Sequence, residues 1–227
     1  LYFSSSIYFG STASETSFML NINGNTAKEL SNDVVRFDSY IYGFRNTTIT
    51  ISYNFFWNSL NNYMNYGVFF SEQPYYDSYD YDNNFVLRVE GNVMQNLDSS
   101  GIYFDCCSYP DEFRHFTVIV RDNIFNNTIS NWMDYGLYLY YAPRYGTNVY
   151  ASTLDIVMVN NTASDLNNDL LNFGSSAILG FRNVTITVTQ NTVFNILSNY
   201  LDNALSFPGS IYYTTTNDSS FQMTVLG

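Results

Sequence analysis

The sequence contains little charge, and most of its charge is negative. Charged residues make up 12% of the 227 residues, and the formal net charge is −12. Lys28 is the only lysine, and seven arginines are scattered along the chain. Because phosphate binding needs clustered lysine and arginine, this composition excludes an ordinary nucleic-acid-binding protein.

Cysteine is scarce and long apolar runs are absent. Cys106 and Cys107 are adjacent and could bridge only through a strained ring, so free thiols or inter-chain pairing are the favoured expectation. No apolar run reaches about 18 residues, so no membrane span is predicted. No signal peptide is visible and the chain does not begin with Met, so we expect a processed or partial chain. Zinc patterns, Gly-rich phosphate loops and nucleophile elbows are also missing.

What the chain does contain is one pattern that recurs along its length. An anchor asparagine follows each of six alternating runs and stands before a short apolar step. The anchors are Asn25, Asn54, Asn92, Asn123, Asn161 and Asn191. The steps between them are 29, 38, 31, 38 and 30 residues, so short and long units alternate with a period of 67 to 69 residues. A regular period of this kind indicates a solenoid.

The runs before the anchors alternate with a period of two and are rich in Val, Ile, Thr, Phe and Tyr, which predicts strands. They are residues 18–23, 48–53, 85–90, 116–121, 154–159 and 184–189. Further short strands begin at motifs such as Gly101-Ile102-Tyr103 and Gly136-Leu137-Tyr138. Three short strands and three turns in each unit correspond to one coil of a parallel β-helix.

This combination of strand, Asn, apolar step, Asn and Gly-Ile-Tyr or Gly-Leu-Tyr resembles the repeats of pectate-lyase-like proteins. The resemblance covers essentially the whole chain. It implies an all-β, right-handed parallel β-helix (β-solenoid) with two unequal coils per repeat of about 68 residues. We expect residues 1–227 to form a single solenoid, as a segment of a longer repeat protein or a filament subunit. The fold hosts lyases, hydrolases, adhesins and inert rods, so it does not by itself define a function.

The anchor asparagines suit the corners of the coils, because Asn tolerates left-handed backbone angles and bonds its own backbone. Stacked coils would place the six side chains about 4.8 Å apart. Each amide could then bond the next one in an asparagine ladder.

The extra residues of the long units are expected in residues 4–17, 71–84, 140–152 and 208–220, on one side of the rod. These segments are rich in tyrosine, which can stack on sugar rings, contact another protein or simply cover the coil. The predicted contact face consists of Tyr75, Tyr76, Tyr79, Tyr81, Tyr140, Tyr141, Tyr145, Tyr212 and Tyr213.

Catalytic candidates are residues that occur in only one copy of the repeat. Resemblance to pectate-lyase-like enzymes, which hold calcium with Asp and use Arg or Lys as base, would select Asp105, Asp111, Glu112 and Arg114. The acids Asp77, Asp80 and Asp82 lack the spacing of a known calcium loop. We therefore expect no catalytic residue and no metal site, with a solvated acidic loop as the simpler interpretation. Arg45, Arg114 and Arg182 share one phase of the repeat and are expected to brace an edge. His115 is interpreted as a tolerated surface substitution.

N-glycosylation is the stronger chemical signal. Sequons begin at Asn46, Asn126, Asn160, Asn183 and Asn217. Asn46 and Asn183 have the same phase and are predicted to lie outside, just before a strand. We expect no cofactor apart from such covalent glycans, with calcium as a weak possibility.

Neither end of the sequence has the pattern of a cap, which predicts self-association or continuation of the solenoid at both ends. The favoured function is an extracellular or cell-surface structural glycoprotein that forms a rod, adhesin or filament. The alternatives are a polysaccharide lyase or glycoside hydrolase, and a carbohydrate-binding β-helix without catalysis.

Overall fold

The structure is a computed structural model of the chain. It describes residues 1–8, 16–59, 64–72, 74–75, 83–105, 114–128, 133–140, 152–174, 178–179, 181–196, 203–207, 211–212 and 220–227. Within these ranges every regular element is a β-strand.

Three long parallel sheets run along the molecule. Sheet A consists of β1 (Tyr2–Phe3), β5 (Val35–Phe37), β9 (Tyr66–Phe70), β13 (Ser100–Phe104), β16 (Tyr135–Leu139), β19 (Leu171–Phe173) and β23 (Leu205–Ser206). Sheet B consists of β3 (Ser17–Asn23), β7 (Asn46–Ser52), β11 (Asn84–Glu90), β14 (His115–Arg121), β17 (Thr153–Val159), β21 (Asn183–Thr189) and β25 (Ser220–Leu226). Sheet C consists of β4 (Thr26–Lys28), β8 (Phe55–Trp57), β12 (Val93–Gln95), β15 (Ile124–Asn126), β18 (Thr162–Ser164) and β22 (Thr192–Phe194).

Two smaller sheets lie on the path from sheet A to sheet B. One contains β2 (Ile7–Tyr8), β6 (Ile41–Tyr42) and β10 (Pro74–Tyr75), and the other pairs β20 (Ile178–Leu179) with β24 (Ile211–Tyr212). The chain passes from sheet B to sheet C, then to sheet A and back to sheet B, and each strand pairs in parallel with its counterpart in the next coil. This confirms the all-β parallel solenoid.

The alternation of short and long coils is also confirmed. Successive strands of sheet B, which pair in register from their first residues, begin 29, 38, 31, 38, 30 and 37 residues apart. The two unequal coils therefore form the repeating unit of the structure.

The extra residues of the long coils lie at two corners, so the expectation of a single place is wrong. Between sheets C and A, a short coil runs from Val93 to Ile102 and a long coil from Ile124 to Leu137. The remaining extra residues lie between sheets A and B, where the longer path runs from Leu137 to Thr153. From sheet B to sheet C, by contrast, every coil has the same length. Long coils thus add chain on two sides of the rod.

The six anchor asparagines form a continuous ladder at the corner between sheets B and C. In each step the backbone N–H and the side-chain Nδ2 of one Asn donate to the Oδ1 of the Asn in the next coil, at 2.8 to 3.1 Å. The amide of Asn123 also donates to the carbonyl oxygens of Val89 and Arg121, at 2.8 and 2.9 Å. Because Asn54, Asn92, Asn123 and Asn161 are at most 2% exposed, these bonds satisfy groups that water does not reach.

The left-handed residue at this corner is the one before the anchor. Its φ is between 54° and 67° in all six coils, at Gly24, Tyr53, Gly91, Asp122, Asn160 and Gln190. None of the anchors has a positive φ. The expectation that Asn itself adopts the left-handed conformation is therefore wrong, because the preceding residue turns the backbone. The expectation that the anchor bonds its own backbone is confirmed, since Nδ2 donates to the carbonyl oxygen two residues earlier at Asn25, Asn92, Asn123 and Asn191.

The core contains stacks of like side chains. Phe3, Phe37, Phe70 and Phe104 of sheet A form a column with centroid separations of 4.8, 4.7 and 4.6 Å and nearly parallel rings. In-register pairing brings equivalent residues of successive strands together, and aromatic pairs at such distances add to the hydrophobic stabilisation.

Large and small side chains of sheet C alternate with small and large residues near the start of sheet A in the same coil. In one coil the large Phe125 of sheet C is paired with Gly136, and in the next coil the small Ala163 is paired with Leu170. A Cβ on Gly136 would lie 2.7 Å from the Leu170 carbonyl oxygen and 3.4 Å from the Phe125 ring. Glycine is therefore required where a bulky residue of sheet C and the next coil both approach the backbone.

The ladder leads to a prediction about stability. Asn123→Ala should destabilise the protein by roughly 3 kcal/mol, because it leaves two buried donors of Asn92 without their acceptor and removes the hydrogen bonds from Asn123 to two backbone carbonyls. Asn25→Ala, at the exposed end of the ladder, should cost about 1 kcal/mol or less. Chemical denaturation of both variants measures the difference. Equal losses would contradict the ladder as a source of stability.

Candidate functional site

The outer face of sheet A carries a strip of aromatic side chains. Strand alternation points the phenylalanine column inward and places the preceding column outside. In register, that outer column is Tyr2, Arg36, Phe69, Tyr103, Tyr138, Asn172 and Ser206. Tyr66, Tyr135 and Tyr140 lie beside it and contact its rings. We call Phe69, Tyr103, Tyr138 and these three tyrosines the outer aromatic strip.

The rings of the strip stack mainly on one another. Centroids are 4.8 Å apart for Tyr66 and Tyr103, 5.6 Å for Phe69 and Tyr103, and 4.3 Å for Tyr135 and Tyr138. Tyr138 stacks on Tyr135 with an interplanar angle of 26°, but its ring is inclined by 57° to Tyr103 and by 74° to Tyr140. Most ring faces therefore contact other rings of the protein, and parallel stacking from coil to coil ends between Tyr103 and Tyr138.

An ion cluster lies at one end of the strip. Arg36 Nη1 is 2.7 Å from Asp33 Oδ2, and Arg36 Nε is 2.5 Å from Asp38 Oδ1. The Tyr2 hydroxyl donates to Asp38 Oδ2 at 2.6 Å. The guanidinium carbon of Arg36 lies 4.7 Å from the centroid of the Phe69 ring. Arg36 thus sits between two carboxylates and above an aromatic ring, an arrangement that suits a guanidinium.

Further carboxylates flank the strip. Asp98 and Asp134 lie at its edge toward sheet C, and Asp105 follows β13 on the opposite edge. Burial raises the pKa of Asp98, and it raises the pKa of Asp134 against the hydrogen bond from Asn167. Burial also raises the pKa of Asp33, although Arg36 acts in the other direction. The ionised forms of Asp33, Asp98 and Asp134 are therefore poorly solvated.

The tyrosines respond to the same surroundings. Burial, followed by the nearby Tyr135, Tyr140, Asp105 and Asp134, raises the pKa of Tyr138 to about 12. Burial and Asp105 also raise the pKa of Tyr103, whose hydroxyl donates to Asp105 Oδ1 at 3.1 Å. These phenols stay protonated at neutral pH, so they offer neutral donors and acceptors beside negative carboxylates.

The proposed catalytic set is only partly within the described residues. Asp105 joins the outer aromatic strip through Tyr103. The backbone N–H of Arg114 donates to the side chain of Asn83, as those of Arg45 and Arg182 do to Thr16 and Ser152 in equivalent positions. Asp111 and Glu112 lie outside the described residues, as do Asp77, Asp80, Asp82 and both cysteines. The backbones of the three arginines therefore join adjacent coils at one corner. This role is structural and involves the backbone of each arginine.

The sequon asparagines differ in their surroundings. Asn46 is exposed, and its Oδ1 accepts from Asn84 at 2.9 Å. Asn183 and Asn126 are half-buried. Asn160 is exposed, but its Nδ2 donates to Asp122 Oδ1 at 2.6 Å. Asn217 lies outside the described residues.

Most of the tyrosines in the predicted contact face lie outside the described residues. Tyr140 packs beside Tyr138 on the outer aromatic strip. The backbones of Tyr75 and Tyr212 belong to β10 and β24. Tyr76, Tyr79, Tyr81, Tyr141, Tyr145 and Tyr213 lie outside the described residues. His115 begins β14, with its Nδ1 2.9 Å from Thr153 Oγ1.

Two further features are absent from the described residues. Across the described ranges, no three His, Cys, Asp or Glu side chains come together in a way that could hold a metal ion. The same ranges include no helix long and apolar enough to cross a membrane.

The fold places the protein among the parallel β-solenoids. Protein-family models, curated proteins and solved structures were compared with the chain, and none of them matches it. The resemblance to pectate-lyase-like repeats therefore extends only to the solenoid architecture.

The outer aromatic strip was not predicted from the sequence, because the predicted contact face consisted of tyrosines in the insertions. A signal was present in Gly101-Ile102-Tyr103 and Gly136-Leu137-Tyr138. In both motifs Tyr stands two positions after Gly and between two apolar residues. Strand alternation therefore assigns the apolar residues to the core and Tyr to the outer face. Aligning these positions with Arg36 and Phe69 would have recovered the column.

The ion cluster predicts a chemical rescue. Arg36→Ala should lower the melting temperature, because it leaves Asp33 buried without its cation. Millimolar guanidinium should restore part of the loss, whereas sodium at the same ionic strength should not. Thermal melts in the two salts test this. Equal effects of both salts would show that Arg36 acts only through general charge.

A pH dependence follows for Asp98. Its pKa is raised in the folded state, so ionisation weakens folding, and the full stability is present only below the unfolded pKa. Asp98→Asn should therefore raise the melting temperature at neutral pH and leave it nearly unchanged near pH 3. Asp155→Asn on sheet B is the control with the same charge change. A stabilisation by Asp98→Asn that is independent of pH would exclude this origin.

Proposed function

We propose that the protein is a structural glycoprotein of the extracellular space or cell surface, which forms part of a rod, adhesin or filament. The uninterrupted asparagine ladder is the observation that supports this most directly. It joins six successive coils through ten hydrogen bonds, five from backbone N–H groups and five from Nδ2 groups, and none of these coils departs from the pattern. An unbroken ladder gives the rod uniform rigidity along its length.

The surface chemistry agrees with this proposal. Asn46 is exposed at the start of β7, and strand alternation places Thr48 of its sequon on the same face. A glycan here would cover part of sheet B and discourage lateral pairing of rods. The open edges of sheet B at β3 and β25 suit self-association or continuation of the solenoid in both directions.

The alternative function is a pectate-lyase-like enzyme or a carbohydrate-binding β-helix. Its support is the meeting of Asp105 with Tyr103 on the outer aromatic strip. Stacking on a sugar requires an open ring face, however, and the rings of Tyr66, Tyr103 and Tyr135 lie against neighbouring rings. The rod is therefore the function that the geometry favours.

Electron microscopy and glycan mapping test the proposal. Native material should contain thin rods with a repeat of about 4.8 Å along their axis, the spacing of the stacked strands. Mass spectrometry should find glycans at Asn46 and Asn183, and Asn46→Gln should remove the first of these. Discrete particles that depolymerise an acidic polysaccharide, with bare asparagines at both positions, would overturn the structural function.

A further inference from the structure

The outer face of sheet C carries an exposed apolar strip that crosses three coils. Phe55, Val93 and Ile124 pair in register, and Phe55 and Ile124 are 38% and 41% exposed. Trp57 lies two residues after Phe55 on the same face. The residue in register with Phe55 in β4 and the residue in register with Ile124 in β18 are both threonine, so the strip ends there. We call Phe55, Trp57, Val93 and Ile124 the sheet C apolar strip.

Asn126 stands beside this strip. It is the last residue of β15 and lies on the same face as Ile124. Its neighbours in register are Gln95 on one side and Ser164 on the other, and Trp57 follows Gln95 in the same column. Asn126 is also the acceptor position of a sequon. An N-glycan at this position would therefore start where the strip begins.

The amide of Asn126 is oriented toward the strip. The Ser164 hydroxyl donates to Asn126 Oδ1 at 2.8 Å, which holds the oxygen on the side of β18. The oxygen and nitrogen of a carboxamide diverge from Cγ, so Nδ2 lies on the side of β12, where the strip continues through Val93 to Phe55. Within the described residues this Nδ2 donates no hydrogen bond. A sugar on Nδ2 would extend over apolar side chains.

The far end of the strip presents an aromatic ring to the same side. Lys28 precedes Trp57 in its column and Gln95 follows it. The Lys28 ammonium lies 4.3 Å from the centroid of the Trp57 ring, so the lysine covers the ring from the side away from Asn126. Two strand spacings, about 10 Å, separate Asn126 from Trp57, a distance that a disaccharide spans. The apolar C–H face of a pyranose can pack on such a ring.

The size of the strip favours a glycan over a second protein. At about 200 Å² for a fully exposed large side chain, its exposed parts amount to roughly 300 Å². Each partner in a standard protein–protein interface buries about 800 Å². A covalently attached glycan needs no such area, because the bond to Asn126 supplies a high local concentration of sugar at the strip.

We propose that Asn126 carries an N-glycan whose proximal sugars pack on the sheet C apolar strip. This rests on the proposed glycoprotein function. In the transfer, a bond forms between Asn126 Nδ2 and C1 of the first sugar while the bond from C1 to a lipid-linked pyrophosphate breaks. The lipid pyrophosphate leaves and one amide proton is released. In the folded chain the sequon hydroxyl of Thr128 donates to Asn96 Oδ1 at 3.2 Å, so transfer precedes closure of this coil.

Mass spectrometry and thermal melts of the intact chain from a eukaryotic and a bacterial host test the proposal. A glycan should be found at Asn126 in the eukaryotic material. There, Asn126→Gln should lower the melting temperature by about 2 to 4 °C more than it does in the bacterial protein, which carries no glycan. The bacterial pair measures loss of the Ser164 bond alone. Asn183→Gln, which removes a sequon from sheet B, should have nearly the same effect in both hosts.

Substitutions in the strip test the contact itself. Ile124→Thr introduces the residue that the next coil has in register, and it should abolish the extra stabilisation by the glycan. Phe194→Ser is the control, since Phe194 is 39% exposed on the same sheet but outside the strip. Hydroxyl-radical footprinting should show slower oxidation of Trp57 in the glycosylated protein. Ile196, which is 77% exposed, should be oxidised equally in both.

The outcomes separate this inference from the proposed function. A bare Asn126 beside glycosylated Asn46 and Asn183 would overturn the inference and leave the proposed function intact. A glycan at Asn126 that neither protects Trp57 nor stabilises the fold would overturn it as well. Absence of glycans at all of these positions would overturn both.

Discussion

Parallel, in-register stacking of the coils is the constraint on which the other features depend. Each residue of a coil meets its equivalents above and below, as the paired strands of sheet B show. A column is stable only if its side chains tolerate like neighbours. Two like charges at about 4.8 Å repel by about 1 kcal/mol even in water. Phenylalanine and asparagine stack favourably instead, which accounts for a chain with 12% charged residues and abundant aromatic and amide side chains.

The same constraint explains how much of the structure the sequence could predict. Anchor asparagines recur because each must bond the next, so their spacing revealed the solenoid and the alternation of coils. The left-handed corner was not predictable from residue type, because Gly24, Tyr53 and Asp122 share that conformation without sharing chemistry. Coil geometry sets it. The second insertion was also missed, although Leu60-Asn61-Asn62-Tyr63 and Ile129-Ser130-Asn131-Trp132 are similar sequences in equivalent positions.

The candidate site was less predictable than the fold. Arg36, Phe69 and Tyr103 are unlike residues, and only the register of sheet A places them in one column. A search for repeated residues therefore passes over the column, and a search for catalytic motifs does so too. The structure also bears on Asp105, which the alternative enzyme hypothesis placed among the catalytic residues. It lies beside stacked tyrosines and accepts a hydrogen bond from the Tyr103 hydroxyl.

The alternation of coil lengths also limits how such a protein can change during evolution. Long coils are separated by a short one, so each added segment has two strand spacings, roughly 10 Å, along the axis. Deleting a short coil or duplicating a long one would bring two long coils together and halve that space. During evolution such a protein should therefore gain or lose coils in pairs, one short and one long, so that the pair is the unit of duplication and deletion.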